Sequence, residues 1–164
     1  MPMVNIDGIK TAIKTILDDA NTTTATIDLS GGLATRVRNV SKVHPVRIAQ
    51  QPSRIPCVTI TADRKTVEPL TIGVTGQGLR KAVFTLQVIG LCHEPFFTDK
   101  NEDQGAENCE RLMENIEAIL RNNVQLNNNV SWAFPTTVQY DEIRLDEQTN
   151  LRAGLMFLEC KIHY

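Results

Sequence analysis

A chain of 164 residues with 41% hydrophobic residues, 22% charged residues and a formal charge of −2 has the composition of one folded domain. At that length it is able to bury roughly 70% of the surface its unfolded form exposes. Its densest basic groups, Arg36/Arg38, Arg47/Arg54 and Arg80/Lys81, are pairs and not a stripe, which argues against a nucleic-acid binder, because neutralising phosphates takes a broad basic surface.

The apolar runs fall short of the roughly 20 residues that span a bilayer, and the opening "MPMVNIDGIK" lacks a signal-peptide core. The reading is of a protein made and kept in the cytosol, with no membrane partner. In "NIDGIKTAIKTILDDA", Ile6, Ile9, Ile13, Ile16 and Leu17 recur at helical spacing behind Asn5 or Asp7 as cap, which predicts a first amphipathic helix. The polar "NTTTATIDLSGGLATR" that follows reads as a loop with one short strand at most. Two β-prone runs come next, the first broken by Pro45 and the second running from Cys57 to Ala62 just after Pro56, where proline is tolerated.

From Arg64 to Lys81, "RKTVEPLTIGVTGQGLRK" carries Gly73, Gly76 and Gly78 and reads as a long hairpin arm or loop, set at about residues 64–80. The strand "AVFTLQVIG" puts Ala82, Phe84, Leu86 and Val88 on a wholly apolar face. The clearest element is "AENCERLMENIEAILRNN", where Cys109, Leu112, Met113, Ile116, Ile119 and Leu120 form a continuous stripe. Beyond the turn-rich "NNVQLNNN", the runs "VSWAFPTTVQYDEIRL" and "LRAGLMFLECKIHY" read as strands, so the chain closes inside a sheet. The prediction is one α+β domain over residues 1–164, a mostly antiparallel sheet with two amphipathic helices packed on one face.

Several patterns invite a chemical reading. In "DKNEDQGAENCE", Asp99, Asn101, Asp103 and Glu110 hold the first, third, fifth and twelfth places of a calcium loop, but Gln104 occupies the place where the turn needs glycine. The run reads as an acidic lead-in to a helix, with no metal. "GVTGQGLRK" leads into a strand, so no helix amino terminus backs a phosphate cradle. Cys57, Cys92, Cys109 and Cys160 share no C-x-x-C pair and sit in apolar runs as reduced core residues. Cys57 with His44 and Asp63, or Cys160 with His163, make the conceivable nucleophile–base sets, and Cys92 and His93 are neighbours that point apart on a strand. No nucleophile elbow surrounds any of them, so the chain is read as having no catalytic residue and no cofactor; His44 and His163 are expected at solvated strand positions and His93 in a loop. Phe96, Phe97, Trp132 and Phe134 are either core aromatics or anchors of a subunit contact. With Gly73, Gly76, Gly78 and Tyr164 they form the candidate assembly set.

The order of elements, together with "IDGIKTAIKTIL", the proline-led "PCVTI", "RKAVFTLQVIG" and "ENCERLMENIEAIL", resembles the tail terminator (tail completion) family of tailed bacteriophages over nearly the whole chain. The resemblance implies a structural virion protein of the tail or neck, assembled in the host cytoplasm. It also implies a hexameric homo-oligomeric ring that caps the tail tube protein and receives the head–tail connector or neck protein, with the tail sheath a further neighbour where one exists. DNA passes through such a ring without specific binding. The alternatives are another head–tail connector, neck or tail-tube subunit, or a small cytosolic enzyme or ligand-binding domain built on Cys57/His44 or on the acidic run Asp99 to Asp103.

Overall fold

The computed structural model describes residues 4–70, 78–94, 104–144 and 150–164. The chain begins with helix α1 (Ile6–Asp19), whose cap is Asn5: its side-chain oxygen accepts from the Gly8 amide at 2.9 Å. The short strand β1 (Asn39–Ser41) leads to a five-residue helix α2 (Pro45–Ala49) and a single 3₁₀ turn at Pro52–Arg54. Strands β2 (Cys57–Pro69) and β3 (Arg80–Glu94) form a long hairpin. Helix α3 (Gln104–Arg121) then precedes β4 (Trp132–Arg144) and β5 (Asn150–His163).

One five-stranded sheet results, in the order β1-β2-β3-β5-β4. Every pairing is antiparallel except the short parallel contact of β1 with β2, so the α+β architecture read from the sequence holds. Alternation along the strands sends Val58, Ile60, Phe84, Leu86, Val88, Met156, Leu158 and Cys160 to one face, where they meet the buried stripes of α1 and α3 in one core. Each fully buried Leu, Ile or Met contributes about 1.5–3 kcal/mol. The exposed ion pairs, such as Lys14–Asp18 and Arg121–Glu117, are worth about 0–1 kcal/mol each, so burial decides the fold.

What lets α3 approach the sheet is a pair of glycines directly opposite each other, Gly90 on β3 and Gly154 on β5. A Cβ at Gly154 would overlap the Met113 side chain, and one at Gly90 would come within 2.9 Å of Met113 Sδ.

The structure departs from the sequence reading around Pro45. The run broken by Pro45 is not a strand beyond Ser41; Pro45 instead opens α2, where its missing N–H costs nothing. α2 covers the opposite face of the sheet, packing Ile48 and Ala49 with Cys57, Ile89, Leu91, Leu151 and Ala153 in a second, smaller core. Residues 21–36, read as a loop with one short strand at most, are a loop without a strand, pinned by side chains. Arg36 donates to both Asp28 oxygens at 2.9 Å, and Asn115 of α3 donates to the Leu29 and Gly31 carbonyls at 3.1 and 2.9 Å. Of the hairpin arm or loop read at about residues 64–80, Arg64 to Pro69 form the outer half of the β2–β3 hairpin, while residues 71–77 lie outside the described residues.

The asparagine-rich link after α3 is also explained. Leu126, Asn127 and Asn128 all have positive φ, at 45°, 55° and 65°. Asparagine tolerates that backbone, and Leu126 is fully buried, which offsets its strain.

Two outcomes follow. Gly154→Ala should lower stability by about 1–3 kcal/mol in urea unfolding, because Met113 has to be displaced; an unchanged midpoint would mean that α3 is not held at this distance. The hydrogen bonds and charge of Arg36 hold the Asp28 carboxyl below its ordinary range. A depressed folded pKa stabilises above the unfolded value of about 3.9 and is lost as pH falls through the folded one. The melting-temperature gap between wild type and Asp28→Asn should therefore be open at pH 7 and close in the acid range; a gap independent of pH would contradict the pairing.

Candidate assembly surface

Register sets several of the candidate residues at one end of the sheet, away from α2. Trp132 stands opposite Lys161, and Phe134 opposite Glu159. Tyr164 extends the β5 pairing past His163: Arg80 donates its amide to the Tyr164 carbonyl at 2.8 Å and accepts from the Tyr164 amide at 3.0 Å. Gly78 lies two residues before Arg80, next to Leu79, whose carbonyl accepts from the Leu70 amide at 2.9 Å. Gly78, Trp132, Phe134 and Tyr164 thus gather at the base of the hairpin tip. Phe96, Phe97, Gly73 and Gly76 lie outside the described residues.

Trp132 and Phe134 belong to neither buried core; both are half-buried on strand β4. Their rings stack at 5.4 Å with planes 6° apart. Arg121, at the end of α3, sits over Phe134 at 4.5 Å, and Lys161 sits over Trp132 at 4.8 Å. The arrangement is a rigid aromatic pair capped by cations, with area left open to a neighbour.

Both sides of the sheet are open. β1 covers only Cys57–Thr59, so from Ile60 to Pro69 the outer side of β2 has no strand beside it among the described residues. From Ala62 onward the β2 side chains are exposed, and the hairpin carries Val67 at 43%, Leu70 at 50% and Leu79 at 58% exposure. On the far side, β4 pairs with β5 alone. Each of these two strands is bent by a bulge, at Ala62/Arg64 and at Pro135/Thr137. Pro135, which cannot donate to a ladder, is tolerated on such an edge. The open stretch of β2 carries Asp63, Arg64, Lys65 and Glu68, and the open stretch of β4 carries Asp141, Glu142 and Arg144. The sequence does not mark these charges, nor Lys161, as edge residues, because a charge gains that meaning only once the strand order shows which side chains line an edge.

The conceivable nucleophile–base sets are not assembled. His44 caps α2, its ring nitrogen accepting from the Val46 amide at 3.3 Å, and so is not a strand residue as expected. Asp63 accepts from Gln87 at 3.1 Å. Cys160 and His163, three residues apart on β5, face opposite ways, and His163 lies 3.4 Å from Ser131 Oγ. His93 is on β3, not in a loop; its Nε2 lies 3.1 Å from the Pro52 carbonyl. Burial pushes the Cys57 and Cys160 thiols up to about 12, which keeps them protonated and unreactive at neutral pH. Among the described residues no group of His, Cys, Asp and Glu side chains is placed to hold a metal ion, and no helix is long and apolar enough to cross a membrane. Gln104, at the glycine place of the calcium pattern, begins α3, while Asp99 to Asp103 lie outside the described residues.

A scan against protein-family models finds no match to this chain, and a search of curated proteins finds none either.

A double-mutant cycle of Trp132→Ala and Lys161→Ala should give a coupling of about 0.5–1 kcal/mol, the size of an exposed cation–π contact. Strict additivity would show that the ammonium and the indole do not interact.

Proposed function

We propose that this protein is a structural subunit of a tailed-bacteriophage particle, a tail terminator whose copies close into a hexameric ring over the end of the tail tube. The ring would meet the tube protein on one side and the head connector or neck on the other, and DNA would pass through it. The observation that carries this reading is a sheet with two open edges, on opposite sides, formed by different strands. β2 and β4 run antiparallel, since each step across β2-β3-β5-β4 reverses direction. A second copy that offers its β2 to this β4 therefore continues the sheet as an antiparallel ladder, with Arg64 and Lys65 facing Asp141 and Glu142 after a stagger along the strands. Such a contact is heterologous, so it closes a ring when the rotation per copy divides the circle and otherwise grows without limit. The exposed apolar hairpin and the half-open aromatic pair supply the surface that a closed contact would bury. The formal charge of −2 also suits a passage that must not grip DNA.

Native mass measurement with negative-stain imaging tests the reading. A six-membered annulus is the expected result; a monomer that persists at high concentration would overturn it, and open-ended stacks of rings would favour a tube subunit. The double variant Arg64→Glu/Lys65→Glu should shift the assembly to single copies while leaving the melting temperature of the dilute protein unchanged, because both side chains are exposed. Rings that form equally well in that variant would rule out the edge contact.

A further inference from the structure

The register within one copy dictates how a second copy can pair with it. On the face left uncovered by α1 and α3, β2 places Arg64, Thr66 and Glu68, the ladder partners of Thr85, Val83 and Lys81. Leu70 continues that row, its amide donating to the Leu79 carbonyl at 2.9 Å. Followed through β3 and β5, the same face takes Phe134, Thr137, Gln139 and Asp141 of β4.

Level pairing of a β2 with the next copy's β4 is blocked. The rows that cross β3 and β5 set Asp141 and Gln139 level with Cys57 and Thr59, and β1 already occupies the outer side of those two residues. A second copy's β2 can therefore cover the whole of β4 only after sliding along it. From Arg64 to Leu70 is six strand positions; from Phe134 to Asp141 is six as well, because one of the intervening residues is the extra one of the bulge at Pro135/Thr137. A slide of that length, about 20 Å, sets Arg64 opposite Asp141 and Leu70 opposite Phe134 together, on one face. Ile60, the first β2 residue past β1, then stands opposite Arg144, the last residue of β4, with Asp63 the extra residue of the β2 bulge. A slip by a single position would turn the side chains of the two strands to opposite faces.

We propose that a second copy of this chain docks in this slid register, with Leu70 of one copy seated on the Phe134–Trp132 pair of the other and Arg64 set against Asp141. Leu70 is 50% exposed and the aromatic pair is half-buried, so the contact removes apolar surface from water on both sides. Leu70 reaches Trp132 from the diagonal position across the ladder. The opposite charges of Arg64 and Asp141 meet farther along the same ladder and favour this register over its neighbours. The inference rests on the reading of β2 and β4 as edges joined between copies, and adds which residues meet. A ring closed with such a slide at every contact has its strands tilted to the ring axis.

The full chain carrying Glu68→Cys/Thr137→Cys tests the register, since those two positions stand opposite each other after the slide and lie between the two contacts. The variant Thr61→Cys/Thr137→Cys reports level pairing, and the native cysteines are buried and do not compete. After copper-catalysed oxidation of samples whose native mass shows association, the expected product is a disulfide between copies at the first pair and none at the second. Linkage at the second pair would overturn the slide and leave edge pairing standing; association with linkage at neither would overturn the contact; chains that never associate would remove edge pairing and this contact with it. Leu70→Asp should weaken association roughly tenfold or more, with the melting temperature of the dilute protein unchanged. Association as tight as that of the wild type would also overturn the proposal.

Discussion

The structure depends on how closely α3 can lie on the sheet. Met113 sits over Gly90 and Gly154, two strand positions that must lack side chains for the helix to reach the layer of Val88, Met156 and Leu158. A strand glycine ordinarily weakens a sheet, and two facing each other on central strands would be a defect without the helix above them. Here the loss is offset by the stripe from Cys109 to Leu120, whose residues are buried because the floor beneath is low. The same close approach brings Asn115 within reach of the loop that α1 leaves behind.

Sealing one face in this way dictates what is left for contact with other molecules. α1 and α3 occupy the helical face, and α2 closes one end of the other. What stays open is lateral: the outer half of β2, the length of β4 and the end of the sheet where Trp132, Phe134 and Tyr164 meet the hairpin. Open ladders are a liability in a free protein, usually blunted by charges, bulges or proline. This chain uses all three, with a bulge on each edge strand, Pro135 on β4 and charged residues along both. Both edges carry charges of both signs, Asp63, Arg64, Lys65 and Glu68 on β2 and Asp141, Glu142 and Arg144 on β4. The two edges belong to different strands, so a contact between them would be heterologous rather than twofold.

Much of this was legible from residue pattern alone. Ile6 to Leu17 and Cys109 to Leu120 have the period of helices lying on a core, and the alternation of Ala82 to Val88 and of Met156 to Ile162 gives the strand faces directly. Other features were hidden for physical reasons. Pro45 reads equally as a strand breaker and as a helix opener, and only the packing of Ile48 on Leu91 and Leu151 decides between them. The three asparagines after Gln125 suggested a turn but not a run of positive φ, which the burial of Leu126 enforces. The glycine pair could not be seen, because Gly90 and Gly154 are far apart in sequence and become partners only through register. The open edges were equally invisible, since which strand lies outermost is a property of strand order; of the eight candidate assembly residues, Gly78, Trp132, Phe134 and Tyr164 are brought together, and the others fall outside the described residues.

The central claim is that the lateral ladders of β2 and β4 are completed by sister copies, and amide hydrogen exchange reads it at the atoms concerned. In dilute solution the outward amides of residues 62–69 and 136–144 should exchange rapidly, while those of β3 and β5 are protected; at concentrations where assemblies form, both outer sets should slow together. Outer amides that exchange at the same fast rate in dilute and assembled samples would contradict the account.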